Sequence, residues 1–187
     1  MTRGTGNAGF VVTAFDRTSG RKLWEYELPA EGTLPEVHEK HNLATPSPVT
    51  DGQRVYAWFG TGQLVALDAA SGKPAWQRHL GREYSPFEVQ WGHGSSPTLY
   101  GELLILLCDH QPASYLLALD KKTGAQRWKA ERPKDAISYT TPTVIEGPKG
   151  DELIVNSTPR VDAYDPGTGA LLWWVGDKHN FAIPVPA

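Results

Sequence analysis

Six histidines are spread through the 187 residues, and imidazole is both a common metal ligand and a proton carrier near neutral pH. His38-Glu39-Lys40-His41 sets two of them three residues apart. No third ligand stands at a fixed spacing from this pair, so packing or hydrogen bonding within a link outweighs a metal site. Cys108-Asp109-His110 puts a thiol, a carboxylate and an imidazole in succession, the residue types of an activated nucleophile and its base. Successive side chains of a strand point to opposite faces, so Cys108 reads instead as a buried strand residue. Asn42, Trp91, His93 and Arg132 complete the candidates. Arg132 could reach a ligand or a neighbouring loop, and the sequence leaves both open.

What positions these residues is a repeat. An eleven-residue phrase, Ala-x-Asp-x-x-(Ser/Thr)-Gly-x-x-x-Trp, occurs four times, as Ala14, Asp16, Gly20, Trp24; Ala66, Asp68, Gly72, Trp76; Ala118, Asp120, Gly124, Trp128; and Ala163, Asp165, Gly169, Trp173. Each phrase opens in an apolar, strand-forming run such as Leu64-Val65-Ala66-Leu67. Asp then bonds the backbone two residues on, and Gly accepts a positive φ, so the phrase reads as a hairpin turn ending in a left-handed residue, with Trp on the returning strand. Upstream, Pro48 to Phe59 reads as strand, Asp-Gly turn and strand, and residues 97–107 and 142–155 fill the same slot. Each period therefore holds four short strands, here labelled A to D from the axis outward. Glycine to glycine the period is 52, 52 and 45 residues, the range of four-stranded propeller blades. No segment carries a sustained 3.6-residue apolar pattern with caps, which excludes helical solenoids. The expected fold is an all-β propeller.

The four phrases resemble the tryptophan-docking motif of pyrroloquinoline-quinone-type (PQQ-type) repeats, found in quinoprotein dehydrogenases and in the non-enzymatic propeller of the bacterial outer-membrane barrel-assembly machinery. The resemblance covers residues 10–187. It implies that Trp24, Trp76, Trp128 and Trp173 pack on the neighbouring blade, with Ala and Gly leaving room. Residues 10–28 supply strands C and D of a first blade; residues 45–80, 95–130 and 139–175 supply three complete blades; residues 181–187 look like the start of another. Related propellers usually have eight blades, so the chain reads as about half of one. An exposed blade face and unpaired strands would then be an aggregation liability.

Composition bounds the function without choosing it. A formal charge of −3 and the lack of a basic run argue against nucleic acid as partner. No stretch of about 18 apolar residues is present to span a membrane. Cys108 is the only cysteine, which excludes an internal disulfide. The first nine residues have no hydrophobic segment and do not read as a signal peptide, which says nothing about export if the chain is part of a longer one.

Functional residues belong on the loops, because packing accounts for the strands. The D-to-A links (residues 29–44, 81–94, 131–138 and 176–182) and the B-to-C turns emerge at one end of the blades. That end collects the candidate ligand face: His38, His41, Asn42, Trp91, His93, Asp109, His110 and Arg132, with His79, Tyr84, His179 and Asn180 beside them. Trp91 and His93 stand where a link dives toward the axis, open to a central-pocket role or to packing. The mixed polar and aromatic surface suits a peptide, carbohydrate or small ligand. In quinoprotein alcohol dehydrogenases of this resemblance, PQQ sits over the axis with calcium, an aspartate base and a disulfide of adjacent cysteines. The chain has no Cys-Cys pair, and none of its positions matches the calcium or base motifs. The expectation is therefore a non-catalytic binding or scaffold propeller with no cofactor, exported or periplasmic by resemblance, partnered by a protein or small ligand and by the remaining blades of a parent propeller. The alternative is part of a PQQ-dependent dehydrogenase with calcium.

Overall fold

The computed structural model describes residues 2–4, 9–31, 34, 42–87, 93–110, 113–158 and 160–176. Two compact units divide the chain, Met1–His93 and Gly94–Ala187. In the first, β1 (Thr2–Gly4), β2 (Gly9–Phe15) and β3 (Lys22–Pro29) form one antiparallel sheet in that order. A second sheet follows in the order β4 (Val49–Thr50), β5 (Arg54–Trp58), β6 (Gln63–Asp68) and β7 (Pro74–His79), after which Leu80–Glu83 makes one helical turn, α1. The second unit repeats the plan twice. Strands β8 (Thr98–Tyr100), β9 (Leu103–Cys108), β10 (Tyr115–Asp120) and β11 (Gln126–Glu131) form one sheet, and β12 (Thr143–Gly147), β13 (Gly150–Asn156), β14 (Val161–Tyr164) and β15 (Leu171–Val175) the other. The sheet of residues 10–28 thus gains a strand, β1, paired to β2 from Thr2↔Val12 to Gly4↔Phe10. Three residues are too few to show an alternating pattern, and the single turn of α1 is too short for a helical one. Residues 181–187 lie outside the described residues.

The repeated phrase folds as one device. In all four copies the Ala stands directly across the ladder from its Trp, from Ala14↔Trp24 to Ala163↔Trp173, and the register shifts by a bulge at the next residue. The turn is closed by its aspartate. Asp16 Oδ1 accepts from the Ser19 N–H and hydroxyl, both at 2.7 Å, and Asp68 Oδ1 does the same for Ser71 at 2.8 and 2.6 Å. The four glycines end the turns at φ of 70, 71, 73 and 74°, where a Cβ is costly.

Within each unit, the tryptophan ties one sheet to the next. Trp24 of β3 donates its Nε1–H to the Ala69 carbonyl at 2.9 Å, and its ring covers Gly72, where a Cβ would lie 2.7 Å from the indole. Trp128 of β11 donates to the Pro166 carbonyl at 3.2 Å and covers Gly169, where a Cβ would lie 2.5 Å away. Beneath these contacts the facing sheets share dry cores. Phe10, Val12, Phe59, Val65 and Leu67 pack together in the first unit, with the Phe10 and Phe59 rings stacked at 4.2 Å. Ile105, Leu107, Leu116, Leu153, Val155 and Tyr164 do so in the second. Trp76 is half-buried, with its ring 6.1 Å from that of Tyr56. Trp173 differs: it is exposed and donates to Glu152 Oε2 of its own sheet at 2.8 Å.

Two predictions follow from these turns. Gly72→Ala must both strain a positive φ and displace an indole, a cost of about 2–4 kcal/mol. Gly20→Ala, whose Cβ meets nothing within 4 Å, should cost only about 1 kcal/mol; urea midpoints of the two variants check the difference. The second concerns acid. The Ser19 and Ser71 hydroxyls, and then their backbone N–H groups, hold the Asp16 and Asp68 carboxyls below their ordinary value. With the folded pKa below the unfolded one near 3.9, the turns favour folding above about pH 4 and lose that contribution as pH falls through the folded values. Asp68→Asn keeps an acceptor oxygen but cannot titrate, so its denaturation midpoint should fall less steeply with acid than that of the wild type.

Candidate functional site

At the end of the sheets opposite the Asp-Gly turns, the first unit forms a cleft of about 220 Å³. Its walls follow from strand ends: β3 and the residues after it bring Leu28 and Glu31, β6 begins with Gln63, and β7 ends with Gln77, Arg78 and His79, while α1 adds Glu83. The helical turn is seated by Gly62, whose φ is +83° and whose Cβ would lie 2.5 Å from the Gly81 nitrogen. The Gly62 carbonyl accepts from the Leu80 N–H at 2.7 Å. Gln63 is buried and spans two sheets. Its Nε2 donates to the Pro29 carbonyl at 2.9 Å, and its Oε1 accepts from the Glu31 N–H and the Thr61 hydroxyl, each at 3.1 Å.

Charge in this cleft is neutralised internally. Arg78 Nε donates to Glu83 Oε2 at 2.7 Å, and Glu83 Oε1 accepts from the His79 backbone N–H at 3.1 Å. The Arg78 hydrogen bond holds the Glu83 carboxyl below its ordinary range. Arg82 pairs with Glu31. The His79 imidazole is different: neither ring nitrogen has a hydrogen-bond partner among the described residues. The cleft wall thus presents paired ions and the exposed Gln77 side chain to a ligand, whereas the Gln63 amide is committed, both His79 ring nitrogens are buried and the carboxylates already hold their cations.

The residues of the expected ligand face fall into different surroundings. Asn42 is exposed, and its Oδ1 accepts from the Ala44 N–H at 3.0 Å, an Asx turn that starts the next blade. Leu43 beside it adopts φ +58°, a strained value for a bulky residue, and its carbonyl accepts from the Gly60 N–H at 2.7 Å. His93 is buried edge-on against Trp58 at 4.2 Å and near Phe87 at 5.3 Å, a member of an aromatic cluster. His38, His41 and Trp91, with His179 and Asn180, lie outside the described residues.

In the second unit, Asp109 and Arg132 lie beneath the surface. Arg132 follows β11 and grips Asp109 with two parallel bonds, Nε to Oδ1 at 2.6 Å and Nη2 to Oδ2 at 2.9 Å. Its remaining hydrogens reach the facing sheet: Asp162 Oδ2 at 3.1 Å, the Tyr164 hydroxyl at 2.8 Å and the Ser157 hydroxyl at 2.8 Å. Arg160 holds the other Asp162 oxygen at 2.7 Å. Burial alone would lower the Arg132 pKa, but the charge and hydrogen bonds of Asp109 outweigh it and raise it further. Of the two roles open to Arg132, the structure supplies the neighbouring loop. A charge that leaves water must be paired, and here pairing uses residues 23 to 30 positions apart, which no local motif announces. His110 is buried, its ring edge-on to Tyr115 at 5.9 Å. Burial pushes the Cys108 thiol far above its ordinary value. The residue types of a nucleophile are present, but its thiolate is not favoured and Asp109 is committed elsewhere.

A sequence family described as outer membrane protein assembly factor BamB matches residues 8–175. The chain belongs to this BamB-like family of PQQ-type repeats. Among its relatives, a tetrathionate hydrolase of Acidithiobacillus ferrooxidans is 25% identical over 87% of the chain and 30% of its own length. The BamB of Yersinia pestis is 24% identical over 87% of the chain and 38% of its own length. The crystal structure of quinohemoprotein alcohol dehydrogenase from Comamonas testosteroni superposes with a TM-score of 0.63 at 16% identity, over 91% of the chain and 32% of that enzyme. The fold is that of a partial β-propeller, and the chain spans about a third of the length of these curated relatives. Among the described residues no helix is long and apolar enough to cross a membrane.

Removing one partner of a buried ion pair strands the others. Arg132→Met should cost about 3–5 kcal/mol, whereas Arg78→Met, which breaks a partly exposed pair, should cost about 1 kcal/mol or less. Parallel chemical denaturation of the two variants tests this contrast.

Proposed function

We propose that the chain is a non-catalytic binding or scaffold module of the cell envelope, which takes a protein or ligand at the loop end of its blades. The observation that carries this reading is the commitment of four carboxylates at that end, among the described residues. Asp109 and Asp162 are held by Arg132 and Arg160, and Glu31 and Glu83 by Arg82 and Arg78. A general base or a metal ligand needs an oxygen that is free to leave its partner, whereas a binding surface gains from side chains that are fixed in place. Among the described residues, the cleft lined by Glu31, Gln77, Arg78 and Glu83 is where a ligand would seat.

Family resemblance adds support. Relatives named for hydrolysis of tetrathionate, for outer-membrane protein assembly and for alcohol oxidation all match this chain, so likeness to them does not select one function. An envelope location is inferred from the BamB kinship. The second reading, part of a PQQ-dependent dehydrogenase, is favoured by the likeness to the alcohol dehydrogenase fold. Calcium, which would accompany PQQ there, takes about six to eight oxygen ligands, with carboxylates among them. The arginine-held carboxylates described above do not fit that donor set, and Cys108 has no second cysteine beside it.

Two measurements separate the readings. A photo-cross-linker at position 79 should capture one discrete envelope protein in cells, and the same probe at Lys121, on the turn end, should not. Titration of the purified chain with PQQ and calcium, with dye-linked assay of alcohols and sugars, should give neither stoichiometric binding nor turnover. Cofactor binding with turnover would reverse the choice.

A further inference from the structure

The turn Leu80–Glu83 has no helical counterpart after β11 in the second unit. Two glycines let it sit close against the start of β6: besides the approach at Gly62, a Cβ on Gly81 would lie 2.8 Å from the Thr61 carbonyl oxygen. So placed, the turn supplies the cleft with two of its four charges. Arg82 pairs with Glu31, and Glu83 pairs with Arg78.

The Glu83 carboxylate is held as a ligand would be. Its Oε2 accepts two bonds from Arg78, from Nε at 2.7 Å and from Nη2, while its Oε1 accepts from the His79 backbone N–H at 3.1 Å. Arg78 Nη2 also reaches the Tyr84 hydroxyl at 3.3 Å, and the guanidinium stands 6.0 Å from the centre of that ring. Two edges of a guanidinium beside a backbone N–H make a strong carboxylate seat, because each bond is charge-assisted. Buried Leu28 and Leu64 line the same cleft, and the exposed Gln77 amide donates to the Tyr26 hydroxyl at its rim.

Unlike Arg132 and Asp109, which are wholly buried, Arg78 and Glu83 have side chains 20% and 35% exposed. Partly exposed pairs are weak, so this one can exchange. Whatever displaces Glu83 must itself be an anion, since Arg78 would otherwise be left half-buried and unpaired. The cleft of about 220 Å³ is smaller than the roughly 300–1,000 Å³ of drug-sized sites, which suits a side chain, a chain terminus or a small acid.

We propose that the cleft is a carboxylate seat which the chain's own Glu83 fills until an acidic ligand displaces it. This deepens the binding reading above and rests on it. Exchange of one carboxylate for another keeps the charge balance of the cleft, and the incoming group gains the apolar floor of Leu28 and Leu64.

The test is titration of the chain with small probes, followed by NMR at the Arg78 Nε–H. N-acetylglutamate α-amide, N-acetylleucine and acetate supply a side-chain carboxylate, a terminal carboxylate beside an apolar body, and a bare carboxylate; N-acetylglutamine amide is the neutral control. At least one carboxylate should shift the Arg78 resonance saturably, and the one that binds most tightly identifies the source. Glu83→Gln should bind it about five-fold more tightly, the size of effect expected when a weak internal pair no longer competes. Glu83→Asp, which keeps the charge and shortens the reach, should move the same way, and Arg78→Met should not bind. Denaturation midpoints close to that of the wild type check that the variants are folded. The proposal is overturned if neither Glu83 variant binds more tightly, if the neutral amide binds as well, or if Arg78→Met retains binding. Cross-linking at position 79 stands apart: its failure removes the binding reading itself, whereas failure of the carboxylates beside an intact cross-link removes only the seat.

Discussion

An indole laid over a glycine joins each pair of facing sheets. A four-stranded antiparallel sheet has two faces, and each must be covered by a neighbour if its apolar side chains are to leave water. Trp24 and Trp128 achieve this by reaching across to Gly72 and Gly169, where the missing Cβ leaves the width of a ring. The same event satisfies the indole N–H on a turn carbonyl. The aspartate of the turn matters because it fixes the glycine in its left-handed state, and the alanine opposite each tryptophan because it leaves room for the ring on the ladder. The phrase is thus one mechanical part in which every named residue constrains another.

A second tie sits at the opposite end of the sheets, and it is built differently in each unit. In the first, Gln63 at the start of β6 donates back to the Pro29 carbonyl at the end of β3. In the second, Arg132 beyond the end of β11 reaches forward to Asp162 and Tyr164 of β14. The positions correspond, yet the donor has changed sides, from the start of the later strand to the end of the earlier one. Geometry asks only that buried polar groups meet across the sheets. A neutral amide on a carbonyl and a guanidinium between two carboxylates both answer, although the ionic version stakes more on all of its members being present.

These ties shape what the loop end can do. Once Asp109, Asp162, Glu31 and Glu83 hold arginines, these carboxylates serve the structure, Asp109 of the expected ligand face among them. Rigid walls around a modest cleft favour recognition, since fixed side chains lose little entropy on binding.

The architecture was legible in the residues alone: the phrase, its period and the strand-turn-strand slots between copies specify sheets of antiparallel strands, because turn chemistry and alternation act over a few residues. The sequence also determined the role of Cys108, since a strand of consecutive apolar residues has no solvent face. It did not determine the strand Thr2–Gly4 or the turn Leu80–Glu83, which are too short to carry a period. Nor could it assign Arg132 or His93. Whether a guanidinium meets a ligand or an aspartate, and whether an imidazole faces solvent or Trp58, depends on which distant strands share a face. Only the packing of one sheet on the next brings Asp109, Arg132 and Asp162 within hydrogen-bonding distance, and burial then compels them to pair.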